Sequence, residues 1–355
     1  MSALRQSAKA LSIVLAAIAI SFLSSLAVDR ISFLDFYRER FSFQPGSWFA
    51  EAVSKVDSVN GCLVVGASTA REGIDAAILS ERREFGSVIN AATTGGNIEV
   101  LEIQAQILSR YGKHLKCVIA GVHPWLLFEN DPPRVVSTGY LAHLRLNDVL
   151  ELTDHSTLML EKWDAIRLSL IPLGKHAQRL NKLVRFWIYS LQTKWREKPL
   201  ALKSFEFFPG ELNAPGNSLY PAGTDLLADR PELIKSRLEN EYPSYVFDKG
   251  PAETSFRRAL EVFKSHASQV FIVIMPDTPL IETFNKKGIP AFNRVVFQAS
   301  VKIIDCSKLS LANSFFLDET HLKPSGRQIL SSAISRTLGR EAGSLPVEGD
   351  CEVRN

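Results

Sequence analysis

At 355 residues and 46% hydrophobic, the chain can bury a large core, with room for a smaller second element. A formal charge of +3 and a pI near 8.6 are too weakly basic to argue for nucleic acid, and no helix-turn-helix, zinc-finger or RNA-binding signature is present. Four cysteines do not make a disulfide scaffold in a chain this long, and no Cys-x-x-Cys or His-x-x-x-His spacing suggests a metal site.

Arg5 and Lys9 precede the uncharged run Ala10 to Val28, which Asp29-Arg30 closes. That length suits a membrane-crossing helix, and the flanking cations keep its start in the cytoplasm. Ser25-Leu26-Ala27 offers the other reading, a signal-peptide cleavage site, although the apolar run is long for a secretory segment. Either way the rest of the chain is exported, and an uncleaved single-pass inner-membrane anchor is the preferred reading. Residues 1–30 are thus taken as stub and anchor or signal, and 31–60 as a linker.

Five short runs then read as strands: Cys62–Gly66, Ser87–Asn90, Cys117–Val122, Gln269–Met275 and Val301–Asp305. They are continuous apolar stretches, as strands covered on both faces of a parallel sheet should be. Helical patterns fall at Ile74–Glu84, Ile98–Tyr111, Glu253–Ser265 and Gly326–Leu338. Such alternation predicts βαβ units in a three-layer α/β fold. Cys62 and Cys117 fall on strands expected to be neighbours, where two small buried side chains are the preferred reading.

An insertion covers 126–249. Within it Leu180, Leu183, Val184, Trp187, Ile188, Leu191 and Trp195 follow helical spacing, and from Lys162 to Lys203 ten Lys or Arg face only Asp164 and Glu197. This helix reads either as a basic face lying on anionic membrane or as an apolar stripe packed on the core. Trp163, Trp187 and Trp195 read likewise as buried core or as a sugar or partner surface. The tail, 341–355, is expected to be disordered.

Four strand ends carry the candidate chemistry. Ser68 directly follows the first strand, where a doubly wound sheet gathers its ligands, and its N–H sits where a helix starts. A plain helix-capping serine suits that position equally. Asp318-Glu319-Thr320-His321 precedes Pro324, which is placed to open the last helix. His321 there can take a serine proton, and Asp318 can hold its other ring N–H, or the four residues can be a surface turn. After the second strand, Asn90 is followed by Gly95, Gly96 and Asn97, glycines that leave N–H groups approachable. After the third strand come Gly121-Val122-His123-Pro124-Trp125, where His123 can donate to an oxyanion or serve as an ordinary strand-end histidine.

In order and spacing these four blocks resemble the SGNH (GDSL-like) hydrolase family. The resemblance implies a flavodoxin-like three-layer α/β/α fold with a five-stranded parallel sheet at 61–125 and 250–340. It implies Ser68 as nucleophile, His321 as base and Asp318 as orienting acid, with Ser68, Gly95 and His123 at the oxyanion. Arg71, Asn97 and Trp125 beside these blocks are candidates for substrate binding. Two departures stand out: Ala67 replaces the first block's usual aspartate, and His123 replaces the third block's asparagine donor. No cofactor is implied. Anchor, exported domain and insertion together resemble cell-surface polysaccharide O-acetylation and D-alanylation proteins. The implied partners are an acyl donor, a polysaccharide acceptor and a membrane-bound O-acyltransferase. The expectation is an acyl-esterase or O-acyltransferase, with a silent accessory or a general esterase or lipase as alternatives.

Overall fold

The computed structural model describes residues 45–93, 98–127, 231–241, 250–339 and 349–354, with single positions at 16, 225 and 227. Apart from Ala16, the apolar run Ala10 to Val28 lies outside the described residues, as do the tryptophans of the insertion, Gly95 and Asn97. Among those described, no helix is long and apolar enough to cross a membrane.

In chain order the elements are α1 (Pro45–Lys55), β1 (Gly61–Gly66), α2 (Ser68–Gly73), α3 (Ala76–Ser80), β2 (Ser87–Asn90), α4 (Glu99–Tyr111) and β3 (Leu115–Val122). There follow α5 (Pro231–Ser236) with a π turn at Arg237–Glu241, α6 (Pro251–His266), β4 (Ala267–Ile274), α7 (Glu282–Ala299), β5 (Lys302–Asp305), α8 (Pro324–Leu338) and β6 (Glu352–Arg354). The strands form one mixed sheet in the order β2-β1-β3-β4-β5-β6. The first five are parallel, and β6 runs antiparallel along β5.

Each central strand divides its side chains between two cores. Leu63, Val65, Val118, Ala120 and Ile272 join one with Phe49 and Val53 of α1, Ile103 and Ile107 of α4, Phe256 and Phe263 of α6, and Phe292 and Val295 of α7. Val64, Ile119 and Val273 join the other with Ala70 of α2, Leu79 of α3, and Leu330 and Ile334 of α8. Helices therefore cover both faces, which is why these strands carry no polar alternation.

All five expected strands form, within two residues of their expected ends. The sheet nevertheless has a sixth strand, inside the tail expected to be disordered. One valine between two charged residues gives no strand pattern; β6 is held by distant partners. Cys351 is disulfide-bonded to Cys306, its backbone N–H bonds Thr337 Oγ1 at 3.1 Å, and Arg354 pairs with Asp305. Cys62 and Cys117 are also disulfide-bonded rather than two separate thiols, because parallel register sets them opposite one another with Cα atoms 4.5 Å apart. Helix α1 falls in the stretch read as linker, yet its apolar face belongs to the core. Helix α7 gives no sequence pattern because Gly288 and Pro290 interrupt it. Gly288 is required there: a Cβ would lie 2.2 Å from the Pro124 carbonyl oxygen.

Replacing Cys306 and Cys351 together by Ser is expected to lower the unfolding free energy by about 2–4 kcal/mol. The amides of 349–354 should then exchange freely. Urea unfolding beside hydrogen exchange reads both outcomes.

Candidate active site

Ser68 opens α2 directly above a bare stretch of sheet. Gly66 and Gly121 are register partners on β1 and β3. A Cβ on Gly66 would lie 2.7 Å from Gly121 O and 2.8 Å from Ala70 Cβ, and one on Gly121 would lie 2.6 Å from Ala70 Cβ. Gly66 also has φ +135°, a conformation that side chains resist. The two glycines thus let α2 rest on backbone.

Polar side chains fix the turn from both faces. Gln104 of α4 is fully buried; its Oε1 accepts from Gly66 N at 2.9 Å, while its Nε2 donates to Gly66 O at 3.0 Å and to Thr93 Oγ1 at 3.2 Å. Asn90 donates through Nδ2 to the carbonyls of Arg71, at 3.2 Å, and Ile74, at 2.7 Å. The asparagine expected at the second block therefore ties α2 to the end of β2.

His321 reaches Ser68 from a loop that closes on itself. Leu317 N donates to His321 O at 2.7 Å, Lys323 N donates to Phe315 O at 2.9 Å, and Pro324 opens α8. Within it His321 Nε2 lies 2.8 Å from Ser68 Oγ, and Nδ1 lies 2.8 and 2.9 Å from the two Asp318 oxygens. Asp318 Oδ1 also accepts the backbone N–H groups of Thr320, at 2.9 Å, and His321, at 2.8 Å. The imidazole is 15% exposed and the Asp318 side chain 4%.

Electrostatics follow from those contacts. Burial would raise the Asp318 carboxyl, but its hydrogen bond to His321, the ring's charge and the two N–H donors outweigh burial and lower it to about 2. Burial favours the neutral His321 ring, yet the Asp318 hydrogen bond and charge, aided by Glu72 and Glu319, raise it above the ordinary 6.5. Glu319 is itself buried and pairs with Arg237 of the π turn at 2.8 Å. Lys323 pairs with Asp225 at 2.8 Å and Leu227 N donates to Leu317 O at 3.2 Å, so the far end of the insertion holds this loop at several points.

His123 is fully buried after β3, with Nδ1 2.6 Å from Asp277 Oδ1. Asp277 also accepts from Asn285 Nδ2, and Asn285 Oδ1 accepts from Trp125 N at 3.3 Å. Trp125 is half-buried, its ring 5.9 Å from that of His123, and Arg71 is buried within α2. Asp277 and Asn285 escaped the sequence reading. Asp277 stands just beyond β4, at the same edge as Ser68, and that position was the available signal. It also lines a cavity of about 610 Å³ with Thr278, Asn285, Asn293, Ser307 and Ser310. Among the described residues no three His, Cys, Asp or Glu side chains are grouped to hold a metal ion.

No protein-family model matches the chain, and no curated protein matches it in sequence. Chemically, the site pairs a hydroxyl with an imidazole whose far nitrogen faces a carboxylate. Such an arrangement can move a proton off Ser68 and return it elsewhere.

Gly66→Ala is expected to cost about 2–5 kcal/mol, combining positive-φ strain with overpacking. Gly112 also has positive φ, at 59°, with nothing within 4 Å of an added Cβ. Gly112→Ala should therefore cost only about 1–2 kcal/mol. Urea denaturation of the two variants separates crowding from backbone strain.

Proposed function

We propose that this chain is an exported, membrane-anchored serine acyl-esterase or O-acyltransferase of the SGNH type, acting on ester groups of a cell-surface polysaccharide. The observation that carries the reading is the continuous Ser68–His321–Asp318 contact, with both links at 2.8 Å. The strand order 2-1-3-4-5 of the parallel part is the flavodoxin-like order, and Ser68 follows β1 at the switch point between β1 and β3. Two disulfides support an oxidising compartment outside the cytoplasm.

The chemistry runs in two halves. Ser68 Oγ attacks the acyl carbonyl carbon while His321 Nε2 takes its proton, and Asp318 keeps the Nδ1 proton in place. The oxyanion is met by the backbone N–H of Ser68, with Gly95 N–H and His123 as further donors. Collapse returns the proton from Nε2 to the departing alkoxide and leaves an acyl-Ser68 ester. A sugar hydroxyl or water then gives its proton to His321, attacks the acyl carbon and releases Ser68. Transfer and hydrolysis differ only in that second nucleophile. Arg71, Asn97 and Trp125 remain candidates for holding substrate.

One observation favours a second reading, a catalytically silent accessory that binds glycan or a membrane O-acyltransferase. His123, with Asp277 against its Nδ1, stands where the third block's asparagine donor belongs. The test is acetate release by the full-length protein from p-nitrophenyl acetate and an acetylated glycan. Ser68→Ala is expected to lose at least roughly 10³-fold in kcat. Equal rates for parent and Ser68→Ala would leave only the accessory.

A pH profile gives a second check. The base must be neutral, and His321 is raised above 6.5, so kcat/KM is expected to fall as pH drops, with its acid-side midpoint above 6.5. A midpoint well below 6.5 would assign the limb to another group.

A further inference from the structure

We propose that Arg327 is a positioning residue for the Ser68–His321 pair, acting through Glu72; this rests on the Ser-His-Asp reading above. Helix α2 is six residues long, too short to hold its own orientation. The preceding turn anchors its start, but its far end is gripped by α8. Arg327 Nε donates to the Glu72 carbonyl at 2.8 Å, and its Nη2 donates to Glu72 Oε2 at 2.9 Å. One turn further along α8, Ser331 Oγ accepts from Asp75 N at 2.8 Å and reaches Gly73 O at 3.5 Å. At Gly73 the two helices are in van der Waals contact, since a Cβ there would lie 3.5 Å from Leu330 Cδ2 of α8.

The geometry is a closed ring. Glu72 lies one helical turn beyond Ser68 on α2. Arg327 lies one turn into α8, and α8 begins three residues after His321. One end of the ring is the 2.8 Å contact between Ser68 and His321, and the other is the Arg327–Glu72 pair. Both charged side chains are buried, 6% and 1% exposed. A buried ion pair is a poor source of stability, because desolvation consumes most of its attraction. It is a good source of geometry, since a guanidinium fork accepts few arrangements of its partner. The Glu72 charge also acts on His321, and Arg327 pairs with that same carboxylate.

Three full-length variants test this against p-nitrophenyl acetate turnover and Ser68 labelling by a fluorophosphonate. In the labelling, Ser68 Oγ attacks phosphorus, fluoride leaves and His321 takes the proton. Arg327→Met is expected to lose about 10²-fold in kcat and labelling rate, with KM within about twofold, the usual scale for a misplaced reacting pair. Arg327→Lys should recover part of that loss. If Arg327→Met does not fold, Glu72→Leu with Arg327→Met removes both charges together and leaves none unpaired, a change proteins often tolerate. That double variant is expected to melt near the parent temperature yet remain about 10²-fold slow. A folded double variant with parental kcat and labelling rate would overturn the proposal, since a merely structural pair regains activity along with stability. A parent that the fluorophosphonate does not label at Ser68 would overturn the Ser-His-Asp reading and this proposal with it.

Discussion

The contact between Ser68 Oγ and His321 Nε2 spans 253 residues of sequence at 2.8 Å, and much of the architecture is organised to hold that length. A proton passes between such groups only within hydrogen-bond reach, so a shift of one ångström in either backbone disables the pair. The serine sits on a short helix that could tilt. The histidine sits on a loop that could splay. Neither does, because Gly66 and Gly121 seat the helix on bare backbone, Gln104 clamps the turn below it, and the loop bridges itself from Phe316 to Leu322.

Charge is arranged with the same economy. Three carboxylates lie close around His321: Asp318, Glu72 and Glu319. Left unpaired in a buried site, each would be costly. Asp318 is paired with the ring and with two backbone N–H groups, Glu72 with Arg327, and Glu319 with Arg237. Asp318 hydrogen-bonds the imidazole directly. The other two act on it through space, with a cation beside each. Arg237 belongs to the π turn at the far end of the insertion, so that segment takes part in the electrostatics of the loop.

What the sequence disclosed and what it hid have physical causes. Strands β1 to β5 are legible because burial on both faces leaves continuous apolar runs. Ser68, Asp318 and His321 are legible because strand ends and a proline-started helix fix where a loop must stand. Strand β6, the disulfides and α7 were not, since each depends on distant partners or on a glycine and proline that read as breaks. The polar supports of the site were hidden in another way. Arg327 and Ser331 look like the wet side of a helix until Glu72 and Gly73 are seen beneath them. Gln104 did carry a trace: it stands among Leu101, Ile103, Ala105, Ile107 and Leu108, a polar residue inside a buried stripe.

The disulfide between Cys62 and Cys117 bears on the site through register. The two cysteines are paired across β1 and β3, and so are Gly66 and Gly121 four residues later. Ser68 lies six residues past Cys62, and His123 six residues past Cys117. The covalent link therefore brings Ser68 and His123 off the sheet at the same level. A slip of one residue would turn every side chain on one strand to the opposite face. It would also set a side chain opposite one of the two glycines, where Ala70 leaves no room. Covalent pairing and glycine packing thus impose one register by independent means, and that register puts Ser68 and His123 on a common edge.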